Sequence, residues 1–131
     1  MEDLMLMEIL KELQKKYQSI VEIERITREM GDFLSRNDRT SVQMLLGMRK
    51  EEMDKADNCE KRIQRLLAVL PDLEEAQVRG WTKGKKDKEF ESSLAKLIYD
   101  RGASIQMILK RTIEVDRYIC TKLAGQNSYY K

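Results

Sequence analysis

The chain contains no histidine, a single proline, two cysteines and 6% aromatic residues. The missing histidine removes Ser/His and Cys/His catalysis, the commonest general base and most protein-built zinc or iron sites in one step. Cys59 and Cys120 belong to no CxxC or other metal spacing, and both read as reduced, mostly buried thiols of a cytosolic protein. No Gly-rich phosphate loop is present either. "GWTKGKK" has glycines and lysines but lacks the GxxxxGKS/T spacing and follows no strand pattern. Long apolar runs are absent: "MEDLMLMEIL" opens with acids and is interrupted by Glu8 and Lys11, which suits neither a signal peptide nor a membrane span. A cytoplasmic protein without metal, cofactor or disulfide is expected.

What is present is charge. Asp, Glu, Lys and Arg make up 37% of the 131 residues, 25 basic against 23 acidic, with the two signs mixed along the chain. Such a length fits one domain that buries roughly two thirds of its unfolded surface. Scarce aromatics and one proline favour long exposed helices.

The apolar periodicity agrees. Leu6, Leu10, Leu13, Tyr17, Ile20, Ile23, Ile26, Met30 and Phe33 recur at spacings of three and four. A second stripe holds Val42, Leu45, Ala56, Cys59, Ile63, Leu66, Leu67 and Leu70 and stops at Pro71. A third holds Phe90, Leu94, Leu97, Ile98, Ile105, Ile108, Leu109, Val115, Ile119 and Leu123, and Gly125 fits a C-terminal stop. Such stripes drift by about 20° per heptad on a straight helix, so keeping them in contact asks for supercoiling. The expected fold is all-α: an elongated antiparallel bundle of three long helices with left-handed supercoil. Helices are expected at about 2–35, 39–70 and 86–124 in a single domain over 1–125, with 126–131 a mobile tail.

"SRNDRTSVQMLL" lies between the first two stripes and contains neither Pro nor Gly. Asn37 can take the left-handed conformation that ends a helix, and Asp38 or Thr40 can cap the next one. The stretch reads as a tight turn that makes helices one and two antiparallel neighbours. The second connection, "PDLEEAQVRGWTKGKKDKEF", has room for a helical turn over 72–78, which Gly80, Thr82 and Gly84 are expected to break. Its Lys83, Lys85, Lys86 and Lys88 cluster beside Trp81 and Arg79. As a nucleic-acid patch these would grip phosphate and stack a base; the balanced net charge favours a solvated loop with Trp81 tucked onto the bundle end.

Two further features bear on function. Arg49 and Glu52 fall in the apolar arc of helix two and Arg101 in that of helix three. Inward charges of this kind hold dianionic substrates in small bundle enzymes such as all-α chorismate mutases, and they equally pair with one another or snorkel. The second feature is an excess of apolar surface. Val42, Met44, Leu45, Leu46, Met48 and Met53 cover an arc of about 200° on helix two, where a helix packed on one side needs little more than 100°. Either two helices flank helix two, or the chain dimerises, or a partner's amphipathic helix docks on a Met-rich groove.

The order of a long helix, a polar "RND" turn, a second helix opening "TSVQMLLGMRKEEMDKA", a basic loop and a third helix ending in "QNSYYK" resembles the FlgN-like flagellar export chaperones over nearly the whole chain. It departs from them at Asp100, Arg101 and Gly102, where that family often carries asparagines. The resemblance implies a cytoplasmic chaperone that binds C-terminal amphipathic helices of hook-associated proteins, keeps them unassembled and brings them to the type III export apparatus, without catalysis, cofactor or nucleic acid. The client groove is then expected at Met44, Leu45, Met48, Ile105, Ile108, Leu109 and Ile119, some of which also serve the core. Tyr129 and Tyr130 in the tail are expected to touch the client or the export gate.

Overall fold

A computed structural model describes residues 3–86 and 89–126, with side chains as far as Lys122. The described residues form four α-helices: α1 Asp3–Ser35, α2 Arg39–Ala68, α3 Asp72–Thr82 and α4 Ser93–Gln126. The all-α expectation holds. Three of these helices are long, at 33, 30 and 34 residues, and the fourth, α3, has 11.

Three boundaries differ from the sequence reading, the first two each for a local reason. The helical turn expected over 72–78 is not broken at Gly80 but continues to Thr82 as α3, whose first turn carries Asp72, Glu74 and Glu75 where the helix dipole favours acids. The last long helix starts at Ser93 and not near Lys86, because the Ser92 hydroxyl accepts a hydrogen bond from the Ala95 amide at 3.1 Å and caps it there. Phe90 therefore precedes α4, packing edge-on against Trp81 at a 5.8 Å centroid separation. The expected stop at Gly125 does not end the helix, which runs through Gln126. The expectation for a mobile tail and its tyrosines concerns residues outside those described.

The α1–α2 turn closes as its residues dictate. Asn37 adopts φ 60°, the left-handed region that Asn tolerates. Its amide bonds the Leu34 carbonyl at 3.0 Å and the Asp38 amide bonds the Phe33 carbonyl at 2.9 Å, a Schellman ending without glycine. The Asp38 carboxylate then accepts from the Ser41 amide at 3.0 Å and the Ser41 hydroxyl at 2.7 Å, capping α2.

Helix α1 is the shared partner. It packs along both α2 and α4, whose backbones stay farther from each other than from α1. Matched contacts set the directions: Arg101 stacks on Tyr17 at 4.0 Å, Arg111 bonds Glu24 at 2.5 Å, and Ile119 lies beside Gly31. Residue numbers rise together, so α1 and α4 run parallel and α2 runs against both. The core forms two clusters. One centres on Ile9, Leu13, Ile63, Leu67, Val78 and Ile98; the other joins Ile26, Met30, Leu34, Val42, Leu45 and Ile119 near the α1–α2 turn.

Short α3 enters only the first cluster, through Val78 and Trp81. It folds back on α2, where Arg79 bonds Gln64, and its last carbonyls press against α4 at Gly102. The molecule is thus four helices thick at one end and three at the other.

A candidate docking groove between the second and fourth helices

With about 100° per residue, the core line of α2 passes through Leu45, Ala56 and Ile63, and other side chains can be placed to either side of it. Met44 and Met48 lie roughly 70–110° to one side, and Met53 and Leu46 roughly 70–90° to the other. Contacts identify the two sides. Glu52, Lys55 and Arg62, on the Met48 side, line a polar trough with Lys15, Ser19 and Glu22 of α1. Arg49, Glu60 and Gln64, on the Met53 side, reach Asp116 of α4, Lys16 of α1 and Arg79 of α3.

The same geometry puts Leu109, Ile113 and Cys120 of α4 roughly 60–100° off its core line, on the side of Gly102 and Asp116. The shoulder with Met53 and Leu46 therefore faces the shoulder with Leu109 and Ile113 across the mouth between α2 and α4. At the lower end α3 fills this mouth. Beyond Thr82 no described residue does: Met53 is 41% exposed and Ile113 49%. The floor is apolar Ala56 and Ile105.

One polar layer crosses the groove. The Arg49 guanidinium donates to Asp116 at 2.8 Å and to the Thr27 hydroxyl at 3.1 Å, and Thr27 in turn donates to the Ile23 carbonyl at 2.7 Å. Among the described residues no buried side-chain polar atom lacks a partner, which is the condition for tolerating such a layer beside a core. A second polar chain lies beneath α3. Lys16 donates to Glu60 at 2.9 Å, Gln64 to the same carboxylate at 2.5 Å, and Arg79 joins Gln64 to Glu75. Burial works against the charge on Glu60, but Lys16, Gln64 and Lys83 outweigh it and hold its carboxyl below the ordinary value.

The residues expected to form a client groove are divided by the fold. Leu45 and Ile119 are buried together in the upper cluster, while Ile105 and Ile108 are buried in the lower one, with Leu109 packed against it. Met44 and Met48, 60% and 40% exposed, lie on the trough side, away from α4. Of these residues Leu109, with Ile105 beneath it, belongs to the open mouth. Leu46, Met53 and Ile113 are its missing members. Their signal was their position off the main stripe, which identifies an exposed apolar residue but not the neighbour it faces.

The inward charges do not converge. Arg49 is spent on Asp116 and Thr27, Arg101 on the Tyr17 ring, and Glu52 pairs with Lys55 at 3.1 Å on the opposite shoulder. The pocket that a chorismate-mutase-type reaction would need is not assembled from these three. Trp81 is tucked in against Phe90 as expected, but from helix α3 and not from a loop, so it cannot stack a base without leaving the core. Lys86 sits over the Phe90 and Tyr99 rings; Lys88 lies outside the described residues. One cysteine differs from expectation: Cys59 is buried, but Cys120 is exposed, because it falls on the shoulder of α4 and not on its core line.

No family model, curated protein or solved structure matches the chain. Among the described residues no helix is long and apolar enough to cross a membrane, and no group of His, Cys, Asp or Glu could hold a metal.

Proposed function

We propose that this protein is a helix-binding chaperone whose client lies in the open part of the α2–α4 groove. The observation that carries the reading is the mismatch in helix length. The 11 residues of α3 reach only about 16 Å along a groove whose α2 wall, at 30 residues, is about 45 Å long. Apolar Met53 and Ile113 are left uncovered past the end of α3. An amphipathic helix laid there buries them as helix-in-groove recognition does.

The identity of the client rests on the sequence resemblance. In that reading the protein is a cytoplasmic FlgN-like flagellar export chaperone, and its clients are the C-terminal amphipathic helices of hook-associated proteins. It holds them unassembled and delivers them to the type III export apparatus without catalysis or cofactor. The left-handed supercoil and bundle of three long helices belong to the same proposal, with α3 as a partial fourth.

The test is isothermal titration with C-terminal segments of the hook-associated proteins at low and high salt. Saturable one-to-one binding with a negative heat-capacity change and little salt dependence is expected, because apolar burial is not screened. A folded protein that gives no heat with any segment overturns the assignment of client. A free protein that sediments as a dimer burying Met53 and Ile113 replaces the client with a second copy.

A further inference from the structure

The polar layer of the groove is satisfied on its inner side only. Arg49 spends a single nitrogen, Nη1, on both Thr27 and Asp116, and Asp116 spends a single oxygen, Oδ1, on Arg49. Nη2 and Nε of Arg49 and Oδ2 of Asp116 have no partner among the described residues. No buried side-chain nitrogen or oxygen there lacks a partner, so these three atoms are reached from solvent. Their open side is the mouth: Thr27 of α1, itself fully buried, closes the layer from beneath, and α2 and α4 wall it on either side.

Apolar residues bracket the layer along the groove. Met53 and Ile113 stand about one turn nearer α3 and Leu46 about one turn farther, roughly 4–6 Å from the layer in each direction. A helix that covers these residues also covers the layer between them. It then takes the last water from a guanidinium side chain only 13% exposed and from a carboxylate 36% exposed. Each donor or acceptor covered without a partner opposes binding.

The residue set over the layer decides how many are left. Leucine there satisfies none of the three atoms. Glutamate or lysine satisfies some of them but adds a net charge to a pair that is neutral as it stands. A carboxamide avoids both faults, since its carbonyl oxygen accepts from Arg49 while its amino group donates to Oδ2 of Asp116.

We propose that the groove selects an amphipathic helix whose apolar stripe is interrupted once, at the level of Arg49 and Asp116, by an asparagine or glutamine, with apolar residues about three or four positions to either side. This deepens the docking reading and rests on it. A single polar position in an apolar seam fixes register at some cost in stability. The layer thus determines where along the groove the helix stops.

Four synthetic helices test this. They are stapled on the outer face and identical except at the central residue of one Leu/Ile stripe, which is Gln, Leu, Glu or Lys. Affinities are measured by isothermal titration with the full chain and with its Asp116→Asn and Arg49→Gln variants, circular dichroism checking that each is folded. The unaltered protein is expected to bind the Gln helix about tenfold more tightly than the Leu helix, the effect of leaving buried polar groups unpaired, and to bind the Glu and Lys helices less tightly than the Gln helix. Asp116→Asn leaves the Arg49 charge unbalanced and should move the preference to the Glu helix, whereas Arg49→Gln leaves Asp116 unbalanced and should move it to the Lys helix.

A Leu helix that binds the unaltered protein as tightly as the Gln helix, or a ranking that neither substitution moves, overturns selection by the layer while leaving groove docking in place. No binding by any of the four to the folded protein overturns the groove and this inference with it.

Discussion

The α-carbon of Gly102 faces the backbone carbonyl of Trp81 so closely that a methyl group added there would sit 2.3 Å from that oxygen. The contact is backbone to backbone, and no rotamer change relieves it. Two effects compete in Gly102→Ala. Alanine gains about 1 kcal/mol of helix propensity, whereas forcing α3 off α4 costs about 1–3 kcal/mol or more. The clash wins. The variant should lose stability in urea titration and show altered Trp81 fluorescence as α3 lifts; a variant as stable as the parent would mean that α3 does not press on α4 as described.

Acid should loosen α4 from α1. The hydrogen bond from Arg111 is the main cause that holds the Glu24 carboxyl below its ordinary value, with the charges of Arg111 and Arg28 assisting and burial opposing. At Glu12 burial opposes most strongly but is outweighed by Arg62 and Lys15. A carboxyl whose folded pKa is depressed binds fewer protons folded than unfolded, so its stabilisation is present above about pH 4.5 and is lost as pH falls through the lower folded value. Urea midpoints between pH 7 and pH 3 should fall on the acid side. Glu24→Gln should lower the midpoint at pH 7 and flatten that fall; an unchanged acid limb would remove Glu24 from the account.

The glycine-free turn gives a paired result. Asp38→Ala removes the α2 cap and should cost about 1 kcal/mol. Asn37→Gly keeps the left-handed conformation and should change stability by a few tenths at most, while Asn37→Val should cost about 1–2 kcal/mol. Thermal midpoints of the three variants check the order. An Asn37→Val protein as stable as Asn37→Gly would contradict the positive φ.

Client binding should separate the two shoulders of α2. Met53→Glu or Ile113→Glu places a charge in the open mouth and should weaken client affinity by about tenfold or more, as losses at a buried interface centre do. Met44→Glu and Met48→Glu lie on the trough side and should leave it within about twofold. Circular dichroism controls for folding. The reverse pattern would move the client to the trough and favour the Met48 face that the sequence singled out.

That last contrast marks where sequence reasoning stopped. Periodicity placed Ile63, Ile98 and Ile105 in the core and Asn37 and Asp38 in the turn, because local spacing and local hydrogen bonding decide both. It did not distinguish Met48 from Met53. Each lies off the stripe of α2, and only the arrangement of α1 and α4 around that helix tells which shoulder faces a neighbour. Ser92 was missed as a cap since the lysine-rich run before it offered no contrast in pattern, so α4 was started too early. Thr27 was missed because a polar residue in an apolar stripe looks like a gap until Arg49 is seen to reach it. Gly102 carried no packing signal at all without α3 beside it.

The position of α1 between α2 and α4 has a kinetic consequence. The α1–α2 pair is joined by a turn its own residues close, so its contacts zip outward from that turn to pairs such as Glu12 and Arg62, 50 residues apart, with a small loop-closure cost at each step. Docking α4 on α1 must instead bridge pairs as distant as Glu24 and Arg111, 87 residues apart. During synthesis the hairpin is complete long before α4 emerges, and for that interval the face of α1 destined for α4 stands open. The nascent chain passes through a stage in which it presents an apolar helix in need of cover, the same condition that the finished protein is proposed to relieve in its client.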